Sequence, residues 1–205
     1  MITRRIFLVG AAALAAPVTV QAAQAAPSLR EILFDPELPV LGNPDGDVSI
    51  AEFFDYMCPS CKALHPHLKR LVAEDGGIRL VMKDWPINGD LAEYASRMTL
   101  ASVHMGIYAK THAALMALQG GLSAKRIDDA MRAQGVDVGK VRDMLDIHLA
   151  PIDALLARNR AQARALKLPG TPGFIVGNRL FRRVIGLEEL TTVVAQVRNS
   201  DRSSG

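Results

Sequence analysis

The sequence predicts an α/β fold in which a β-α-β unit and a β-β-α unit are separated by a helical block. Two observations in the 205-residue chain carry this. Around Gly76-Gly77, apolar residues recur first at strand spacing, then at helix spacing, then at strand spacing again. Near the C-terminal end, two short β-rich runs meet at Gly177-Asn178, a two-residue hairpin signal.

Each element follows from local pattern. "VSIAEFFDY" (Val48 to Tyr56) is rich in β-branched and aromatic residues. Pro59 to Glu74 then places Leu64, Leu68, Leu71 and Val72 on one helical stripe. "IRLVMKDW" (Ile78 to Trp85) reads as a second strand, at the separation expected of a parallel crossover. From Leu91 to Leu168 the pattern is helical, with breaks expected at Gly120-Gly121, Gly135 and Pro151. After "LPGTPG" come the strands "FIVG" and "LFRRVIG", and a last helix follows Gly186. The polar tail "NSDRSSG" reads as frayed.

The chain opens with Arg4-Arg5, an apolar run from Ile6 to Ala16 and the small residues Ala23-Gln24-Ala25. That pattern is a secretory signal of twin-arginine type with an A-x-A cleavage site. The run is shorter than the roughly 20 residues needed to span a bilayer. Export to the periplasm, or otherwise outside the cytoplasm, is therefore expected for residues 26–205, in a compartment where disulfides persist. Without residues 1–25, 22 basic side chains face 21 acidic ones with no basic block, a balance that argues against a nucleic-acid partner.

Cys58 and Cys61 are the only cysteines, and they enclose Pro59 and Ser60 at the junction of the first strand and first helix. A helix N-terminus offers unpaired N–H groups and partial positive charge, which favour a thiolate at Cys58. Pro59 suits the first helical position, because its φ is preset and its missing N–H is not needed there. Cys61 lies one turn further in, as a shielded second thiol. A zinc or copper site made from both cysteines with His65 and His67 is a rival reading, weakened because residues two apart on a helix face different ways. A structural disulfide is weaker still, since so small a loop removes little unfolded-state entropy. His104, His112 and His148 read as ordinary packed or surface helix histidines. No cofactor is expected.

"FFDYMCPSCK", the distant "GTPGFIVGN" and the helical interruption together resemble the DsbA-like thiol:disulfide oxidoreductases of the thioredoxin superfamily. The resemblance implies a thioredoxin-like fold (βαβ…ββα) with an inserted helical subdomain. It divides the exported chain into 26–88, a helical insertion over 89–166, and 167–205. It also implies a periplasmic enzyme that introduces disulfides into thiol-containing exported proteins and is recharged by a membrane partner of the DsbB or quinone-linked type.

Glu52, the one charge on the face Val48, Ile50, Glu52, Phe54, lies six residues before Cys58, where the family keeps an acid beneath its thiols. By that resemblance it exchanges a proton with Cys61, with a pKa raised by burial. Lys83 takes the place of a base beside this acid. Thr171-Pro172 matches the Thr-cis-Pro loop set against the CxxC, with Tyr56, Met57 and Trp85 as apolar surroundings for a bound peptide. The chain departs from the family namesake at Ser60, where that protein has His. A weaker oxidant follows, and threonine before the proline is shared with isomerases, so isomerase or reductase activity is the alternative. A binding module that holds zinc or copper on the same thiols is the second.

Overall fold

The computed structural model describes residues 26–203, so the export signal read in residues 1–25 lies outside the described residues. No helix among the described residues is long and apolar enough to cross a membrane. The elements run α1 (Leu29–Leu33), β1 (Val40–Gly42), β2 (Val48–Phe54), α2 (Pro59–Asp75), β3 (Ile78–Asp84), α3 (Asp90–Ala101), a 3-10 turn (Ser102–Met105), α4 (Tyr108–Met116), α5 (Ala124–Ala133), α6 (Val138–Ala165), β4 (Gly173–Val176), β5 (Arg179–Phe181) and α7 (Leu187–Ser203).

The five strands form one sheet in the order β1-β3-β2-β4-β5. β2 and β3 are parallel, and every other pairing is antiparallel. In the parallel register Glu52 sits beside Met82 and Phe53 beside Lys83. Helices α2 and α7 cover one face of the sheet and α1 and α6 the other. Both faces of β2 and β3 are therefore buried almost throughout, as expected of central strands with helices on each side.

Pro151 does not end a helix. α6 continues through it and kinks at His148, whose φ of −111° and ψ of 15° leave the helical region. A proline ring clashes with the carbonyl four residues earlier, so the backbone gives way at that point and the helix resumes. As far as Ser203 the tail is helical and not frayed, because α7 continues to that residue, while residues 204 and 205 of the tail lie outside the described residues. Ser200 and Ser203 return hydrogen bonds to the carbonyls of Gln196 and Asn199, and Arg198 bridges Asp47 and Asp75. The β5 strand is shorter than the run "LFRRVIG", stopping at Phe181. Gly177 makes the expected hairpin turn with a φ of +57°, where a side chain is disfavoured.

Candidate active site

The thiols sit where β2 feeds α2. Cys58 is the N-cap of α2, in extended conformation, and its sulfur accepts the Cys61 N–H at 3.3 Å. Pro59 takes the first helical position. No acidic residue stands in the first turn to oppose a negative sulfur. The loop before the cap is held by Asp55, which accepts the Met57 N–H with one oxygen and the Ile87 and Asn88 N–H groups with the other. Asp55 escaped sequence reasoning, because two of its three partners, Ile87 and Asn88, come from the segment that follows β3.

Both cysteines are free thiols, and their environments differ sharply. Cys58 is held down to about 6, first by its hydrogen bond with Cys61, then by Thr171 and the N–H groups of Cys61 and Ser60. Cys61 is fully buried, and its hydrogen bond to Cys58, burial and the nearby Glu52 all drive its pKa far upward. One thiol is thus poised as a thiolate and its partner as a protonated thiol.

The Thr171-Pro172 peptide bond is cis, as expected. The Cys58 sulfur lies 3.3 Å from the Thr171 carbonyl oxygen. Pro172 is buried while Thr171 is partly open. Because the Thr171 side chain lowers the Cys58 pKa, Thr171→Val is expected to raise that pKa by about one unit, given a hydrogen bond to a charged group worth on the order of 1 to 2 kcal/mol. Titration of thiolate absorbance checks this; an unchanged midpoint would remove Thr171 from the sulfur's hydrogen-bond shell.

Glu52 is 1% exposed, on the same sheet face as α2. Burial, then the charge at Cys58 and the carboxylate of Asp84, raise it to about 8. It is a neutral acid at pH 7. Lys83 is not its partner. Its register neighbour is Phe53, so its side chain points to the opposite face, with the Phe53 ring 5.8 Å from Nζ and Asp35 and Arg158 as its charged neighbours. A residue's face follows from the cross-strand register, and Glu52 pairs with Met82 instead. The ionisable neighbour that Glu52 does have is Asp84, also fully buried and raised to about 8, chiefly by burial.

Tyr56 and Trp85 do not line a peptide site. Tyr56 is fully buried with its hydroxyl 2.9 Å from His112 Nδ1, and Trp85 packs edge-on against Phe53 beneath the surface. Met57 alone of the three is partly open. The two histidines of α2 diverge. His65 meets His112 edge-on at a ring distance of 4.9 Å, whereas His67 lies on an outer groove with Ser60 and Arg70. Among the described residues no group of three or more His, Cys, Asp or Glu side chains is placed to hold a metal ion.

Comparison with known proteins agrees with this geometry. A family model described as Thioredoxin matches residues 35–196. The chain belongs to the thioredoxin family. Within that family it is DsbA-like. It is 28% identical over 181 residues to the thiol:disulfide interchange protein DsbA of Bordetella parapertussis, an alignment spanning 84% of this chain and 83% of the relative. It also superposes on the crystal structure of a thioredoxin-like oxidoreductase from Silicibacter pomeroyi DSS-3 with a TM-score of 0.79 and 34% identity, covering 84% of this chain and 99% of the other. The Na(+)/H(+) antiporter NhaA 1 of Salinispora arenicola is 25% identical over 157 residues, and the chain spans about a quarter (24%) of that relative's length. The fold is the thioredoxin-like one of this family, with α3 to α6 entering between β3 and β4.

Proposed function

We propose that this thioredoxin-family chain is an exported thiol:disulfide oxidoreductase that donates the Cys58-Cys61 disulfide to thiol-containing exported proteins. The helical segment 89–166 is read as an insertion between the units 26–88 and 167–205. The observation that carries the proposal is the asymmetry of the thiols, one at a helix cap with a pKa of about 6 and the other buried and held protonated. A substrate thiolate attacks the Cys58 sulfur, and the Cys58–Cys61 bond breaks as the mixed disulfide forms. Cys61 leaves as a thiolate and takes a proton from Glu52. A second substrate thiolate then attacks the substrate sulfur of the mixed disulfide, forming the substrate disulfide and releasing Cys58 as thiolate. Two electrons have passed from substrate to enzyme, and a membrane partner of the DsbB or quinone-linked type takes them away.

The lowered Cys58 pKa also favours donation over reduction. At pH 7 a thiol titrating at about 6 stabilises the dithiol state by about 1 kcal/mol after allowing for solvent screening, or roughly 20 mV on a two-electron couple. Ser60 sits in the first turn with its N–H towards the sulfur. Ser60→His should add a cation there and raise the potential by roughly 10 to 40 mV, taking about 0.5 to 2 kcal/mol for a charge at a helix end. A glutathione equilibrium on both proteins checks it, and a lower potential in the variant would contradict the placement. The proposal itself is tested by oxidation of a reduced, unfolded disulfide protein. Stoichiometric transfer from the oxidised chain is expected; no transfer at neutral pH would overturn it.

A further inference from the structure

Glu52 has a difficulty that its burial creates. An acid that gives a proton to Cys61 must recover one before the next turnover, and Glu52 is sealed from the surface on the thiol side. Its Oε1 has no hydrogen-bond partner among the described residues. A second buried atom shares that condition. His112 is 1% exposed, its Nδ1 is occupied by the Tyr56 hydroxyl, and its Nε2 has no partner. Each such atom left dry costs about 1 to 3 kcal/mol.

Glu52 and His112 line the same cavity, of about 240 Å³, between β3, α2 and α4. Its walls are apolar, including Leu68, Val72, Leu80 and Met82, and its rim reaches the exposed residues Lys69, Ala73 and Ala109. The volume holds several waters, and two unsatisfied polar side chains give them partners.

We infer that this cavity is the route by which Glu52 exchanges its proton with solvent, over water held between Glu52 and His112, and that His112 is a positioning residue for that water. The inference rests on the proton-carrier role proposed for Glu52. Glu52 protonates the Cys61 thiolate, and a bulk or buffer acid at the rim then supplies a proton that passes along the cavity water to the Glu52 carboxylate, leaving that acid's conjugate base in solution. The groups facing Glu52 are Cys58 and Cys61 from α2, Asp84 from β3, Tyr56 from the loop after β2, and Tyr108 and His112 from α4. His65 and Lys69 stand nearer the mouth. His65 is pushed down to about 4 by burial and His112 well below its usual range, so both imidazoles are neutral and hold water without trapping the proton.

The test closes the mouth without touching the thiols. Ala73→Phe and Ala109→Phe are surface changes on α2 and α4, and the double variant should narrow the opening. Single-turnover reduction of the oxidised full chain by dithiothreitol is followed in water and in deuterium oxide. The double variant is expected to react at least about fivefold more slowly with a larger solvent isotope effect, while its Cys58 titration stays at the parental midpoint. His112→Phe should do the same, and His112→Gln, which can still bond water, should recover most of the rate. If Glu52→Gln slows the reaction but the plugged chain keeps the parental rate and isotope effect, the route is wrong and the carrier role stands. If Glu52→Gln is itself without effect, the carrier role fails and the route with it.

Discussion

Cys58→Ser abolishes disulfide exchange and leaves no covalent adduct with substrate, whereas Cys61→Ser forms a mixed disulfide through Cys58 that persists. The asymmetry follows from the two environments. With a pKa of about 6, about nine-tenths of Cys58 is thiolate at pH 7, and the thiolate is the reacting species. Cys61 is buried and driven strongly upward, so it supplies almost none. When serine replaces Cys61, no internal thiol can attack the Cys58 sulfur and release the substrate. Mass spectrometry of adducts with a reduced peptide separates the two variants. Adducts on Cys61 in the Cys58→Ser protein would reverse the assignment.

Glu52→Gln should slow exchange by up to about 100-fold near neutral pH, the lower end of what a positioned general acid contributes. Glutamine keeps the shape and removes the proton. Because Glu52 titrates at about 8 in the dithiol protein, the parent's advantage should shrink as pH rises through that value and the acid ionises. The same substitution has a stability signature with a defined sign. The folded pKa lies above the ordinary glutamate value of 4.5, so the folded protein keeps a proton that the unfolded chain releases. The Glu52 contribution to stability is therefore full below about 4.5 and is lost as pH rises to about 8. Glutamine does not titrate, so the variant should gain on the parent across that window by up to about 5 kcal/mol. Urea unfolding of both reduced proteins between pH 4 and pH 8 measures the difference. A difference that does not change with pH would mean that Glu52 reaches solvent and is ionised in the fold.

The site's covalent chemistry was legible because it is local. A CxxC between a β-rich run and a helical stripe fixes the N-cap, the proline at the first helical position and the depth of Cys61 within a few residues. The Gly177-Asn178 turn was readable for the same reason, whereas the cis Thr171-Pro172 bond was expected only through the family resemblance. What depended on register or on packing between distant segments was not. Lys83 and Glu52 are each on a well-marked strand, yet which faces they share is set by the pairing of Glu52 with Met82, and a one-residue slip would have put Lys83 beside the acid. β1 has three residues, too few for any period to appear. Asp84 looked like the end of a strand and is a buried acid near Glu52. His112 read as an ordinary helix histidine. Only the packing of α4 against α2 brings it to the cavity beneath the thiols.

Disulfide donation requires the dithiol state to be favoured by a stabilised Cys58 thiolate, and the equilibrium potential against glutathione reads that directly. Thioredoxin, with a nucleophilic thiol near 7, has a potential of about −270 mV, and DsbA, near 3.5, about −120 mV. A Cys58 pKa of about 6 places this chain between them, at roughly −240 to −180 mV. A value in that range, accompanied by a Cys58 midpoint near 6 in the same preparation, is the predicted result. A potential at or below about −270 mV would contradict disulfide donation and make the chain a reductant.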